Sequence, residues 1–238
     1  MEAKLADLVN RLKVAAQDNL KAVVLYGSAA AGEFHQDHSD LNVLCLVGRA
    51  ESADLEQLHA PVEWWVRKGH FPPLVFTLDE LLRSADIFAI ELLDMKRQHR
   101  MLFGDDFLAT FEVPMRLHRL QVERELRAGW VRLRRAILAA PSREKARLAI
   151  MLESVSTFCA LFRHAIVALG QPMPASKRDA VAAVASLAAA DPSAFHSVLD
   201  VREGKRDKEL LAVEPTLRKY LEFVDAVTSD VDRRFEAP

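Results

Sequence analysis

Gly27-Ser28 follows directly on the apolar run Ala22-Val-Val-Leu-Tyr26, and about a dozen residues later Asp40-Leu41-Asn42 opens a second apolar run ending at Val47. These residue types in this order suit phosphate and metal chemistry. A glycine at the end of a buried strand lets a ligand approach the backbone. Ser28 adds a hydroxyl and can begin a helical turn whose free N–H groups favour phosphate oxygens. Side chains in a strand alternate faces, so Asp40 and Asn42 project one way while Leu41 and Val43 face the other. Hard divalent cations such as magnesium use a few oxygen-bearing side chains together with substrate phosphates. Each residue also has a plainer reading, since Gly and Ser are common in turns and Asp40 could be a cap. The joint spacing favours the site.

The elements that must position these residues follow from periodicity. Residues 2–19 carry Leu5, Leu8, Val9, Leu12 and Ala16 at helical spacing. The apolar runs 22–26 and 41–47 read as buried strands. A helix is expected over 51–59, and Val62-Glu-Trp-Trp-Val-Arg67, bounded by Pro61 and Gly69, reads as a third strand. Leu74-Val-Phe-Thr77 reads as a fourth. Thr77 with Glu80 forms a capping box that starts a helical stretch over 79–97, with an interruption near Ser84. After Pro114 no strand is evident. Helical patterns occupy 115–139, 142–169, 176–190, 192–202 and 214–235. The chain therefore divides into an α/β half, 1–112, and an all-helical half, 113–238.

Composition sets the outer bounds. With 238 residues, 50% hydrophobic and 28% charged, the chain has the mix of an ordinary globular protein and enough length for a sizeable core. A formal net charge of -2 provides no general attraction to a polynucleotide or an anionic membrane. The start, MEAKLADLVNRLK, lacks the basic and apolar regions of a signal peptide, and no stretch approaches the roughly 20 uninterrupted apolar residues of a spanning helix. Cys45 and Cys159 read as small buried side chains rather than a disulfide, and no Cys/His cluster has zinc spacing. A cytoplasmic protein without a membrane partner is expected.

The segment from Val23 to Val47 resembles the nucleotidyltransferase superfamily, which includes DNA polymerase beta, the aminoglycoside nucleotidyltransferases and the minimal nucleotidyltransferases of bacteria. The likeness rests on Gly27-Ser28, on Gly32, and on Ser39-Asp40-Leu41-Asn42 in an apolar strand. It implies an α+β fold, a small mixed sheet flanked by helices, followed here by a helical bundle. It also implies transfer of a nucleoside monophosphate from an NTP, ATP foremost, to an acceptor hydroxyl, with pyrophosphate leaving and Mg2+ as the metal. Gly27 and Ser28 would hold the triphosphate, and Asp40 with Asn42 the metal. Glu63 is the positional match to the family's third carboxylate and would help activate the acceptor hydroxyl. The chain departs from the pattern at Asn42, where the family has a second aspartate, and at Ala29 to Ala31, which lack the usual basic residue. An amide oxygen can ligate a hard cation but carries no charge. A second reading therefore stands beside the enzyme: a catalytically weakened relative that binds nucleotide or another protein.

The acceptor would be a small molecule or a protein; the lack of a basic tract argues against a long nucleic acid. Self-association is left open. In the helical half, Arg163-His164 and Lys177-Arg178 are cations that could meet phosphate or acceptor, although such residues are usually solvated faces. Asp94, Lys96, Arg97, His99 and Arg100 read as a helix end with dipole-compatible cations. No histidine has an arginine four to six residues upstream, so the helical half lacks the motif of the HEPN ribonucleases that sometimes accompany bacterial nucleotidyltransferases.

Overall fold

The computed structural model describes residues 1–27, 29, 30 and 41–236. The chain divides into two compact units, Met1–Leu117 and His118–Pro238. The first is built on a four-stranded mixed sheet. Strands β1 (Leu20–Tyr26), β2 (Asn42–Val47), β3 (Leu74–Thr77) and β4 (His99–Phe103) lie in the order β3-β2-β1-β4. β1 pairs antiparallel with both β2 and β4, whereas β3 runs parallel to β2. The small mixed sheet flanked by helices is the architecture that the sequence reading expects.

Strand alternation splits this unit into two cores. Leu25, Val43, Cys45 and Val47 face helices α1 (Glu2–Ala16) and α2 (Ser52–Arg67), meeting Leu8, Leu12, Leu58 and Trp65. Ala22, Val24, Leu44 and Leu46 face the other way. They are covered by α3 (Leu78–Arg83), α4 (Ala89–Arg97) and the short α5 (Phe107–Thr110), through Leu81, Leu92, Met95 and Leu108. The capping box at Thr77 and Glu80 is present: the Glu80 N–H donates to Thr77 Oγ1 at 3.2 Å, and the Thr77 N–H donates to the Glu80 carboxylate at 2.8 Å. Gly104, just past β4, has φ +81°, and a Cβ there would lie 2.1 Å from the Lys21 carbonyl oxygen, so only glycine fits this crossing of chains.

Two expectations need correction. Residues 62–67 are the end of α2, not a strand. The buried positions Asp54, Leu58, Pro61 and Trp65 recur at helical spacing, and Pro61 sits inside the helix with its ring in the core. On a strand Trp64 and Trp65 would point to opposite faces. On a helix they are about 100° apart, so Trp65 is fully buried while Trp64 is half-buried under the Arg11 guanidinium, 4.3 Å from its ring centroid. The second correction is β4, in a region read only as a helix end. Lys96 and Arg97 do close α4, and the chain then turns directly into the edge strand.

The second unit contains α6 (Met115–Ala139), whose first residues precede the division, then α7 (Glu144–Ala168), α8 (Lys177–Ala188), α9 (Ser193–Arg202) and α10 (Val213–Glu236). α7 is long and apolar enough to cross a membrane by composition, but its apolar residues serve a core: Phe158 and Phe162 join Phe195, Tyr220 and Phe223 from α9 and α10. Phe195 stacks on Tyr220 with centroids 4.2 Å apart, and the Tyr220 hydroxyl meets Ser154 Oγ at 2.9 Å. A buried pair, His118 and His164, ties α6 to α7 through ring nitrogens 2.9 Å apart. Cys45 and Cys159 are buried thiols, each pushed up to about 12 by burial.

Truncating Trp65 to Ala should cost about 3–5 kcal/mol in denaturant unfolding, and Trp64→Ala much less; equal costs would contradict the helical assignment of 62–67. A second outcome concerns Asp191, whose carboxyl is held at about 2 by hydrogen bonds from Lys219 and from the Ser193 amide and hydroxyl. A depressed carboxyl stabilises above its ordinary value of 3.8, and that contribution disappears as pH falls toward its folded value. Asp191→Asn should therefore melt below the wild type at neutral pH, with the gap narrowing between about pH 4 and about pH 2.

Candidate functional site

The antiparallel register sets Tyr26 opposite Asn42, so the C-terminal end of β1 and the N-terminal end of β2 share one edge of the sheet. Gly27 takes φ +81° immediately beyond it. Its N–H donates to the Gln98 carbonyl at 3.3 Å, and its own carbonyl accepts from the Ala30 N–H at 3.0 Å. A Cβ on Gly27 would come to 3.2 Å from the Asn42 amide nitrogen. The glycine bend and the asparagine are thus immediate neighbours, as the sequence spacing requires. Ser28 and Asp40 lie outside the described residues.

Alternation decides the company that Asn42 keeps. Leu41 and Val43 are buried toward α1 and α2, and Asn42, half-buried, lies on the face of Leu44 and Leu46, toward α3 and α4. Tyr26 packs on that same face. His99 pairs with Tyr26 from β4, so His99, Tyr26 and Asn42 form a polar row across three strands. His99 is fixed from both sides: Nδ1 lies 3.2 Å from the Lys96 carbonyl oxygen, and Nε2 lies 3.0 and 3.1 Å from the Asp106 carboxylate oxygens. At Asp106 desolvation works against ionisation, but hydrogen bonds from His99 and from the Ala109 and Leu108 amides outweigh it and hold the carboxyl below its ordinary value. The Tyr26 phenol is raised, first by burial and then by the negative charge of Glu91 on α4.

Glu63 is not part of this arrangement. It lies on the solvent side of α2, within an ion pair to Arg67 at 2.6 Å, and α2 covers the sheet face opposite to that of Asn42. The positional match depended on a strand that is a helix. β3, the strand that does lie beside β2, carries Leu74, Val75, Phe76 and Thr77 and no carboxylate. Sequence reasoning missed His99 and Tyr26 as site neighbours. The apolar triplet Met101-Leu102-Phe103 before Gly104 was the available sign of β4 and hence of the register that brings His99 to Tyr26. In the second unit, Arg178 is held by Asp200 and Glu203, and Lys177 donates to Ser156 Oγ at 3.2 Å. Arg163 contacts the Met173 sulfur, and His164 is the buried partner of His118.

No protein-family model matches the chain, and no curated protein matches it. Among solved structures it is similar to a spectinomycin adenyltransferase, AAD(9), from Enterococcus faecialis, crystallised with ATP and spectinomycin. The TM-score is 0.55 at 14% sequence identity, and the match covers 95% of this chain and 98% of that one. The fold is nucleotidyltransferase-like. At this identity the likeness concerns the fold, and it runs through both the sheet and the helical half.

Gly27→Ala should lower stability by about 1–2 kcal/mol in urea unfolding, because an L side chain resists left-handed backbone and the new methyl presses on Asn42. A neutral effect would count against the bend.

Proposed function

We propose that the protein is a magnesium-dependent nucleotidyltransferase that moves a nucleoside monophosphate, AMP from ATP foremost, to a hydroxyl of a small molecule or a protein. The observation that carries this reading is the left-handed Gly27 bend lying against Asn42 at the shared edge of β1 and β2. Its placement in a nucleotidyltransferase-like fold supports it further. Gly27 and Ser28 would hold the triphosphate, Gly27 by letting it approach the backbone and Ser28 through its hydroxyl. Asp40 and Asn42 would hold the metal. The amide oxygen of Asn42 is a hard, uncharged donor that would suit a cation keeping much of its coordination for water and phosphate oxygens. Bound magnesium would neutralise the triphosphate and stabilise the charge that develops at the α-phosphorus. The acceptor oxygen attacks that phosphorus, the bond to the bridging β-phosphate oxygen breaks, and pyrophosphate leaves with the electron pair.

The solved relative was crystallised with spectinomycin, which favours a compact polyhydroxylated acceptor over a protein here. The net charge of -2 favours either over a polynucleotide. Two buried thiols accord with a reducing, cytoplasmic setting. Asn42 favours a second reading, binding of the nucleotide without turnover, because it removes one negative charge where two cations would otherwise be bridged.

Magnesium and ATP together should raise the melting temperature by several degrees at ligand concentrations near a hundred times Kd. Asp40→Ala should abolish the magnesium-dependent part, and Asn42→Asp should lower the magnesium concentration required. No shift with any NTP rejects both readings. Pyrophosphate release in the presence of spectinomycin or other aminocyclitols separates the enzyme from the binder.

A further inference from the structure

The N–H of Gly27 leaves the bend and donates to the Gln98 carbonyl at 3.3 Å. That bond lies one residue beyond the Tyr26–His99 pair on both strands, so it closes the β1–β4 ladder. β4 is an outer strand of five residues, and the ends of such strands open most readily. Gln98, which supplies the carbonyl, sits at the junction where α4 stops and β4 starts. Its carbonyl keeps facing Gly27 only as long as that junction is held.

His99 holds it from both directions. Nδ1 lies 3.2 Å from the Lys96 carbonyl oxygen in the last turn of α4. Nε2 lies 3.0 and 3.1 Å from the oxygens of Asp106, and the same carboxylate caps α5 by accepting from the Ala109 N–H. Both partners are acceptors, so the two bonds together need a hydrogen on each ring nitrogen. The ring is largely enclosed, with 14% of the side chain exposed, and a hydrogen bond to a carboxylate away from bulk water is stronger than a neutral one. One imidazole thus fastens the helix before the strand to the helix after it, with Gln98 at the seam.

We propose that His99 is a positioning residue of the nucleotide site: its bonds to Lys96 and Asp106 keep the Gln98 carbonyl on the Gly27 N–H and so hold the bend that a triphosphate approaches. The nucleotide part of this role rests on the nucleotidyltransferase reading; the hold on Gly27 does not. With its N–H committed to Gln98, Gly27 meets a ligand through bare backbone, in an orientation that this last rung sets. Asp106 acts through His99 and shares the role.

Three variants separate the bonds. His99→Phe keeps a ring and removes both donors, whereas His99→Asn and His99→Gln each restore one donor group, the shorter near the place of Nδ1 and the longer near that of Nε2. Amide hydrogen exchange at Gly27, followed by NMR, should quicken about tenfold or more in His99→Phe relative to the amides of Val23, Val24 and Leu25 in the middle of β1. The apparent Kd for ATP with magnesium should rise by a similar factor, and the Asn and Gln variants should fall between. If His99→Phe does not fold, those two carry the same comparison. Exchange at Gly27 that stays as in the wild type overturns the role. So does exchange that rises in step with Val23 to Leu25, which would make His99 a contributor to overall stability alone. Faster exchange at Gly27 with unchanged ATP affinity overturns it as well. A wild type that binds no NTP rejects the proposed function instead, and the exchange measurement then decides the hold on Gly27 by itself.

Discussion

The ladder between β1 and β2 is the constraint on which the rest of the first unit depends. Antiparallel pairing joins the end of one strand to the beginning of the other, so a bend after Tyr26 and a polar residue at Asn42 become neighbours through backbone hydrogen bonds alone. The same ladder fixes parity. Once Leu41 and Val43 commit to the core of α1 and α2, Asn42 must face α3 and α4, because a slip of one residue would bury the amide and expose the leucine. The left-handed turn at Gly27 is the local cost, met by the residue type for which it is smallest.

That parity also sorts the charged groups of the unit. Helices on one side of the sheet can offer side chains to the edge that Asn42 occupies, and helices on the other side cannot. Glu63 is excluded on this ground before its ion pair with Arg67 is considered. On the productive side, the acids engaged in caps and ion pairs shape the wall, and the Asp106–His99 pair anchors β4 where it meets Tyr26. The second unit is organised differently. Aromatic rings in contact from three helices, with a buried pair of imidazoles, give it a core of its own.

Much of this was legible in the residues. The two buried runs, the helical spacing of residues 2–16, the box at Thr77 and Glu80 and the all-helical second half each express a short-range rule that tertiary packing then respected. The adjacency of Gly27 and Asn42 was legible too, because it needs only two strands and a register. Residues 62–67 were misread because β-branched and aromatic residues next to a proline mimic a strand, whereas packing against α1 rewarded a helix with Pro61 built in. β4 has five residues and lies at the edge, too short to show alternation. The row of His99, Tyr26 and Asn42 could not be found from sequence, because it crosses three strands and no spacing along the chain encodes the pairing of β4 with β1.

The path from β3 to β4 leaves one outer strand, passes over β2 and β1, and returns as the outer strand on the far side. Much of what covers the Asn42 face belongs to this single excursion, and none of that stretch contributes a hydrogen bond to the β1–β2 ladder. Substitutions within residues 78–97 would therefore change the cover of this face while leaving the β1–β2 pairing in place. The pairing that sets Gly27 beside Asn42 and the helices that cover that face thus lie on separate stretches of the chain.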